Sequence, residues 1–163
     1  MIKRNFASTL PTLGDIYDLD IKVEWCLHKL IPKQAITVLH GRAGSFKTWI
    51  MISISSCISE GRIFAGLQTL KMPCYYVDFE NSLATLHHRA TVLGRSSLRV
   101  WHCSNPKPPP RLDTKEWELY KRLEPPGLLI FDTLRSCQLQ DENSSRAMAF
   151  IMARLKELRD MGF

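Results

Sequence analysis

The sequence predicts one α/β domain in which a mostly parallel sheet is covered by helices on both faces. Three observations support this prediction. Segments with strand composition alternate along the chain with helical segments. The strand segments are apolar almost throughout, which is typical of parallel strands that are buried on both faces. The chain has 163 residues, of which 45% are apolar, and this is enough for one sizeable core but cramped for two.

Four strands are predicted from short apolar runs that lie between turn residues. The first spans 35–40, is rich in β-branched residues and ends at Gly41. The others span 74–79, 98–102 and 127–132, and the last contains the run GLLIF followed by an acid. A lead-in segment, 1–34, precedes this core domain, 35–163.

Four helices are predicted between and after these strands. Residues 47–60 are apolar on most sides and precede Gly61, a residue type that commonly ends a helix. Residues 83–93 carry apolar side chains at helical spacing after Ser82, a typical N-cap. The remaining helices are expected at 113–123 and 144–161.

Composition and charge exclude several classes of protein. No apolar run approaches about 18 residues, so no membrane span is expected, and the first residues lack the apolar stretch of a secretory signal. The five cysteines form no CxxC pair, which argues against a zinc site and favours a reducing cytoplasm. Subtracting 16 acidic from 22 basic residues leaves a net charge of +6, which fits either a polyanionic partner or an ordinary basic surface.

Residues 41–48, with the sequence GRAGSFKT, match the phosphate-binding loop pattern except at one position. Such a loop cradles phosphate oxygens with backbone N–H groups at the start of a helix. The candidate nucleotide ligands are Gly41, Arg42, Ala43, Gly44, Ser45, Phe46, Lys47 and Thr48. Lys47 is expected to reach the β- and γ-phosphates, and the Thr48 hydroxyl to bind Mg²⁺. The alternative is a glycine-rich turn with a surface lysine.

Phe46 is the departure from the pattern, which has glycine before the lysine. Because phenylalanine carries a Cβ, position 46 must either have a negative φ or adopt a strained left-handed conformation.

Two acidic residues follow predicted strands and are candidate partners of the loop. The carboxyl ends of parallel strands meet at one edge of a sheet, where ligands bind. Asp132 is the candidate Mg²⁺ ligand, and Glu80 is the candidate general base that accepts the proton of an attacking water. Asp78 is the rival base, but Glu80 lies beyond the apolar run and nearer the loop. Asp132 and Glu80 could each instead be a solvated loop acid or a helix N-cap at the end of a strand.

Several motifs occur in order: LIPKQAITVLHGRAGSFKTWI, YYVDFENS, HHR, LLIFDTLRS and DENSS. Together, over about residues 23–163, they resemble the RecA-like ATPases of the plasmid replicative helicase RepA group. The resemblance implies a RecA-like P-loop NTPase fold that binds ATP and Mg²⁺. It implies that Lys47 contacts phosphate and that Thr48 and Asp132 hold the metal. It also implies that Glu80 is the catalytic base and that Arg89 lies near the nucleotide base or ribose.

The same resemblance implies a cytoplasmic replicative DNA helicase of a plasmid or phage, which acts on single-stranded DNA as a ring of identical subunits. A regulatory RecA-like ATPase that does not act on DNA and a non-catalytic nucleotide-binding fragment are the alternatives. Arg89 could equally be a solvated helix residue. Arg135, after the last strand, could be a phosphate sensor or a solvated arginine. His87 and His88 are adjacent and do not form the i, i+4 pair of a helical metal site.

Members of that group continue after the last helix with another apolar strand, which lies between the phosphate-loop strand and the Asp132 strand. This chain ends before such a strand, so the C-terminal part of the fold is expected to be missing. Strands 35–40 and 127–132 would then either remain apart or close up into a narrower sheet. We also expect marginal stability and ATP turnover near background.

Overall fold

The computed structural model describes residues 9–139 and 144–163. The first eight residues of the predicted lead-in segment and most of the DENSS motif lie outside the described residues. The described helices are α1 (Leu13–Tyr17), α2 (Lys47–Glu60), α3 (Leu83–Leu93) and α4 (Ser145–Asp160), together with 3₁₀ helices at Lys115–Arg122 and Arg135–Cys137. The strands are β1 (Trp25–Leu27), β2 (Ile31–Pro32), β3 (Cys74–Asp78), β4 (Arg99–His102) and β5 (Leu128–Asp132).

The central sheet is parallel and has the strand order β4-β3-β5. Asp78 is opposite His102 on one side and Asp132 on the other, so the carboxyl ends of the three strands are in register. The predicted strands at 74–79, 98–102 and 127–132 are therefore confirmed. Their common carboxyl edge is where the candidate site forms.

Helices cover both faces of this sheet, as predicted. On one face, Tyr76 and Ile130 pack against Ile52 of α2, with Leu86 of α3 beside them. On the opposite face, Val77 belongs to the cluster that contains the 3₁₀ helix residues Trp117 and Tyr120 and the α4 residues Ile151 and Leu158. Successive residues of a strand point to opposite faces, so β3 contributes to both cores.

The predicted helix ends are confirmed for three helices. Gly61 caps α2 with a left-handed backbone, φ +70°. The side chains of Ser82 and Ser144 accept hydrogen bonds from backbone N–H groups three residues later, and so cap α3 and α4. The predicted helix at 113–123 forms instead as a 3₁₀ helix, in which Trp117 and Tyr120, three residues apart, lie on one side and are buried.

The lead-in segment contains a small antiparallel pair, β1–β2. Its buried residues Cys26, Leu27 and Ile31 pack against Ile54 and Ile58 of α2. The α2 helix therefore lies between this hairpin and the central sheet. No helix of the described part of the chain is long and apolar enough to cross a membrane.

The prediction of a strand at 35–40 is wrong. These residues have no regular secondary structure, and five of the six are exposed; Val38, for example, is 65% exposed. A β-strand exists only where a neighbouring strand takes up its backbone hydrogen bonds, and none of the described strands lies beside 35–40. The segment has the apolar composition of a strand, but no strand of the described residues pairs with it.

A groove separates this segment from β5. Its cavity of 480 Å³ is lined by residues 35–40 on one side, by 128–135 on the other, and by parts of α2 and α4. No backbone hydrogen bond among the described residues joins the two walls. Of the two expected outcomes, the open gap is therefore the one that is observed.

Candidate nucleotide and metal site

The loop 41–48 joins the unpaired segment 35–40 to the start of α2. Gly44 has φ +78° and Phe46 has φ +59°, so both adopt the left-handed conformation. Glycine adopts this conformation freely, whereas a residue with a Cβ such as phenylalanine adopts it at a cost in free energy. Of the two conformations expected for Phe46, a negative φ or a strained left-handed backbone, the structure has the strained one. The Phe46 ring is 69% exposed.

Gly41 packs closely against the side chain of Ser45 inside the loop. A Cβ at this position would lie 2.8 Å from the Ser45 hydroxyl oxygen. That hydroxyl donates a hydrogen bond to the Arg42 carbonyl at 2.8 Å, and this contact closes the loop. The result is a tight turn whose backbone N–H groups precede a helix N-terminus, an arrangement that favours anions.

Lys47, the first residue of α2, directs its side chain back over this loop. Its Nζ donates hydrogen bonds to the carbonyl oxygens of Gly41 at 2.8 Å and Arg42 at 2.7 Å. The ammonium group is therefore held above the turn, where its point charge can neutralise phosphate.

Thr48 joins the loop to the central sheet. Its hydroxyl donates a 2.8 Å hydrogen bond to Oδ2 of Asp132, a residue 84 positions later in the chain. Asp132 ends β5, and its Oδ2 also accepts a short hydrogen bond from the Tyr76 hydroxyl. The structure thus brings together the two predicted metal ligands. A hydroxyl and a carboxylate are the hard oxygen donors that Mg²⁺ prefers, so these residues fit that ion.

The two candidate bases occupy different environments. Asp78 is completely buried and accepts hydrogen bonds from the backbone N–H groups of Glu80 and Asn81 at 3.0 Å, and from the Asn81 amide. It therefore holds the turn after β3 and is closed to substrate. Glu80 is exposed at the sheet edge.

Glu80 is held in place by the segment that follows β5. Its Oε1 accepts a hydrogen bond from the Thr133 hydroxyl at 2.8 Å and a shorter one from the Ser136 hydroxyl. Both bonds end on the same oxygen, so they leave Oε2 to accept a proton. This geometry suits a general base better than that of Asp78 does.

Arg89 lies on α3 and is tied to neighbouring protein groups. Its guanidinium donates a 2.8 Å hydrogen bond to the Asn81 side chain and lies 5.8 Å from the centre of the Trp49 ring. The His88 ring also contacts Trp49 edge-on, with 6.1 Å between the ring centroids. Arg89 thus braces the turn after β3 against the start of α2. The observed contacts do not include the phosphate loop.

Sequence reasoning missed four residues that organise this site: Tyr76, Asn81, Thr133 and Ser136. Thr133 and Ser136 belong to the DTLRS motif, and Asn81 to DFENS, but no role had been assigned to them. Tyr76 could have been found from strand alternation, because it lies two residues before Asp78 and therefore on the same face of β3.

Comparison with known proteins places the chain in a family. A family model described as an AAA domain matches residues 12–162, which is nearly the whole chain. No curated protein matches the chain. The match spans the loop, both strand-end acids and α4, and it shows that the chain belongs to the AAA domain family of P-loop ATPases.

Proposed function

We propose that this domain binds MgATP at the loop 41–48 and belongs to a RecA-like DNA helicase that works in plasmid or phage replication. The main observation in support of a nucleotide site here is the 2.8 Å hydrogen bond between Thr48 and Asp132. It places the helix that opens after the loop directly against the carboxyl end of β5. A phosphate bound at the start of α2 would therefore lie next to a metal ion held at the carboxyl end of β5.

The residues have separate roles in this proposal. Backbone N–H groups of the loop and the Lys47 ammonium bind the phosphates, while Thr48 and Asp132 would hold Mg²⁺. The metal, when bound, neutralises charge that develops on the phosphoryl oxygens. Glu80 accepts the proton of the attacking water through Oε2, and Thr133 and Ser136 keep Oε1 fixed. Arg89 supports this arrangement by holding Asn81.

The DNA-directed part of the proposal rests on the resemblance of the motifs and on the net charge of +6. In this proposal the working form is a cytoplasmic ring of identical subunits bound to single-stranded DNA. The open groove supports a related proposal, that a further apolar strand of a longer form pairs with both 35–40 and β5. The reading frame beyond codon 163 tests this proposal: a frame that encodes an apolar strand would support it.

The same open groove favours a second candidate, a nucleotide-binding domain without turnover of its own. The segment that leads into the loop has no neighbouring strand among the described residues. The loop is therefore held through α2 and the Thr48–Asp132 hydrogen bond, and the segment before it adds no strand pairing. The rate of ATP hydrolysis falls steeply when the general base and the phosphate site are loosely fixed relative to each other.

Calorimetry tests the nucleotide site. MgADP should bind the wild-type chain, and Lys47→Ala should abolish binding because the ammonium above the loop is removed. Lys107→Ala, which changes an exposed lysine in the loop after β4, is the matched control and should bind normally. Equal affinity in the wild type and Lys47→Ala would contradict the assignment.

Turnover separates the candidate functions. ATP hydrolysis stimulated by single-stranded DNA supports the helicase, and hydrolysis that DNA does not change supports a regulatory ATPase instead. Nucleotide binding without hydrolysis above background supports the non-catalytic domain.

A further inference from the structure

The Tyr76 hydroxyl and the Thr48 hydroxyl meet on the same carboxylate oxygen. Thr48 donates to Oδ2 of Asp132 at 2.8 Å, and Tyr76 donates a shorter hydrogen bond to the same atom. One donor comes from the start of α2 and the other from the middle of β3. Oδ1 of Asp132 lies outside this pair of contacts.

The fold fixes Tyr76 in this position. Tyr76 is opposite Ile130 in the β3–β5 register, so it lies diagonally across from Asp132 on the same face of the sheet. Diagonal neighbours on a sheet are within reach of an aromatic side chain. The ring is fully buried and packs against Ile52 of α2 and Ile130, so the hydroxyl cannot swing away from the carboxylate.

The hydroxyl can act only as a donor towards Asp132. A phenol carries one O–H donor, and the carboxylate oxygen that it meets can only accept. A buried charge-assisted bond of this kind fixes the orientation of the carboxylate.

We infer that Tyr76 is a positioning residue for the metal site: its hydroxyl holds Oδ2 of Asp132 and so turns Oδ1 towards Mg²⁺ or a water of its hydration shell. This inference rests on the proposed nucleotide site. Groups that orient a metal ligand typically contribute 10- to 100-fold to metal affinity. Tyr76 should therefore affect how strongly Mg²⁺ strengthens nucleotide binding, and it should leave metal-free nucleotide binding unchanged.

The test compares ADP affinity in Mg²⁺ with ADP affinity in EDTA for each variant. Tyr76→Phe removes only the hydroxyl oxygen, and it should lower the ratio of the two affinities by roughly tenfold. Affinity in EDTA should stay at the wild-type value. Tyr75→Phe is the matched control, because Tyr75 is the adjacent buried residue and its hydroxyl contacts Arg99 rather than Asp132. This control should keep the wild-type ratio.

A purely structural role for Tyr76 would lower both affinities together and leave their ratio unchanged, and this result would overturn the inference. Wild-type protein that binds no ADP in either buffer would instead overturn the nucleotide site, and the inference with it. In the background of Asp132→Asn, Tyr76→Phe should have no further effect on the ratio. A full additional tenfold loss there would show that Tyr76 does not act through Asp132.

A measurement on the wild-type chain covers the case in which Tyr76→Phe does not fold. With tyrosine labelled by ¹³C at Cζ, Mg²⁺ added to the ADP complex should shift the Tyr76 signal, because the hydrogen bond to Asp132 changes. The Tyr75 signal should stay in place. A Tyr76 signal that does not move would contradict the inference.

Discussion

At the scale of single residues, burial and hydrogen bonding separate the two acids that follow β3. Asp78 is buried and accepts hydrogen bonds from the turn, whereas Glu80 is exposed and has one oxygen held by two hydroxyl groups. The sequence favours Glu80 because it lies beyond the apolar run. The burial of Asp78 under the turn that follows β3 depends on the folded chain and is seen only in the structure.

Glu80→Gln should keep nucleotide binding and lower ATP turnover by roughly 10²-fold or more in any form of the protein that hydrolyses ATP. The amide is close in shape to the carboxylate but cannot accept the proton of the attacking water. Steady-state hydrolysis and calorimetry on the same preparation measure both effects. Loss of nucleotide binding together with turnover would mean that Glu80 is structural.

Asp78→Asn is the matched comparison. The buried carboxylate accepts several N–H donors, and an amide would place a donor of its own among them. We therefore expect a lower free energy of unfolding, by about 1–3 kcal/mol, with turnover per folded molecule much less affected. If Asp78→Asn is instead the variant that abolishes turnover in folded protein, the base is assigned to the wrong residue.

At the scale of elements, helices α2, α3 and α4 were predictable because the signals that define them are local. Spacing of apolar residues, Ser82 and Ser144 as N-caps, and Gly61 as the end of α2 all act within a few residues. Strand 35–40 was not predictable in the same way, because a strand depends on a neighbour elsewhere in the chain. Its apolar composition is compatible with a strand but cannot supply the partner.

Phe46 lies at the junction of the loop and α2, and substitutions there test whether its left-handed backbone lowers the stability of the protein. Phe46→Gly should raise the free energy of unfolding by about 1 kcal/mol, because the left-handed conformation costs this much for a residue with a Cβ. Little burial is lost, since the ring is 69% exposed. Denaturant titration measures the change.

Phe46→Ala is the control for this prediction, because alanine keeps the Cβ and with it the strain. It should be no more stable than the wild type. Equal gains in the alanine and glycine variants would show that removal of the exposed ring, and not relief of backbone strain, is the cause.

At the scale of the whole molecule, we expect the open groove to lower the free energy of unfolding. One wall is the edge of β5 that no strand of the described residues pairs with, and the other is the exposed apolar segment 35–40. Neither wall gains the burial and pairing that a central strand would provide. We expect a free energy of unfolding near the lower end of the usual range, about 5 kcal/mol, by denaturant titration. A highly stable, sharply cooperative domain that also hydrolyses ATP steadily would contradict this account.

Val38 gives the control for this prediction, because its side chain is 65% exposed on the wall of the groove. Val38→Lys should change the free energy of unfolding by less than about 0.5 kcal/mol, as surface substitutions usually do. A loss of several kcal/mol would mean that the groove is closed in solution.

Hydrogen–deuterium exchange with and without MgADP tests the central claim most directly, because it locates the nucleotide on the chain. Amides of residues 43–48 should exchange more slowly with MgADP, since these N–H groups would bind phosphate, and Lys47→Ala should remove the effect. Amides of the β1–β2 hairpin should be unchanged. Binding of MgADP with no protection at 43–48, or with the same protection in Lys47→Ala, would contradict the assignment of this loop as the nucleotide site.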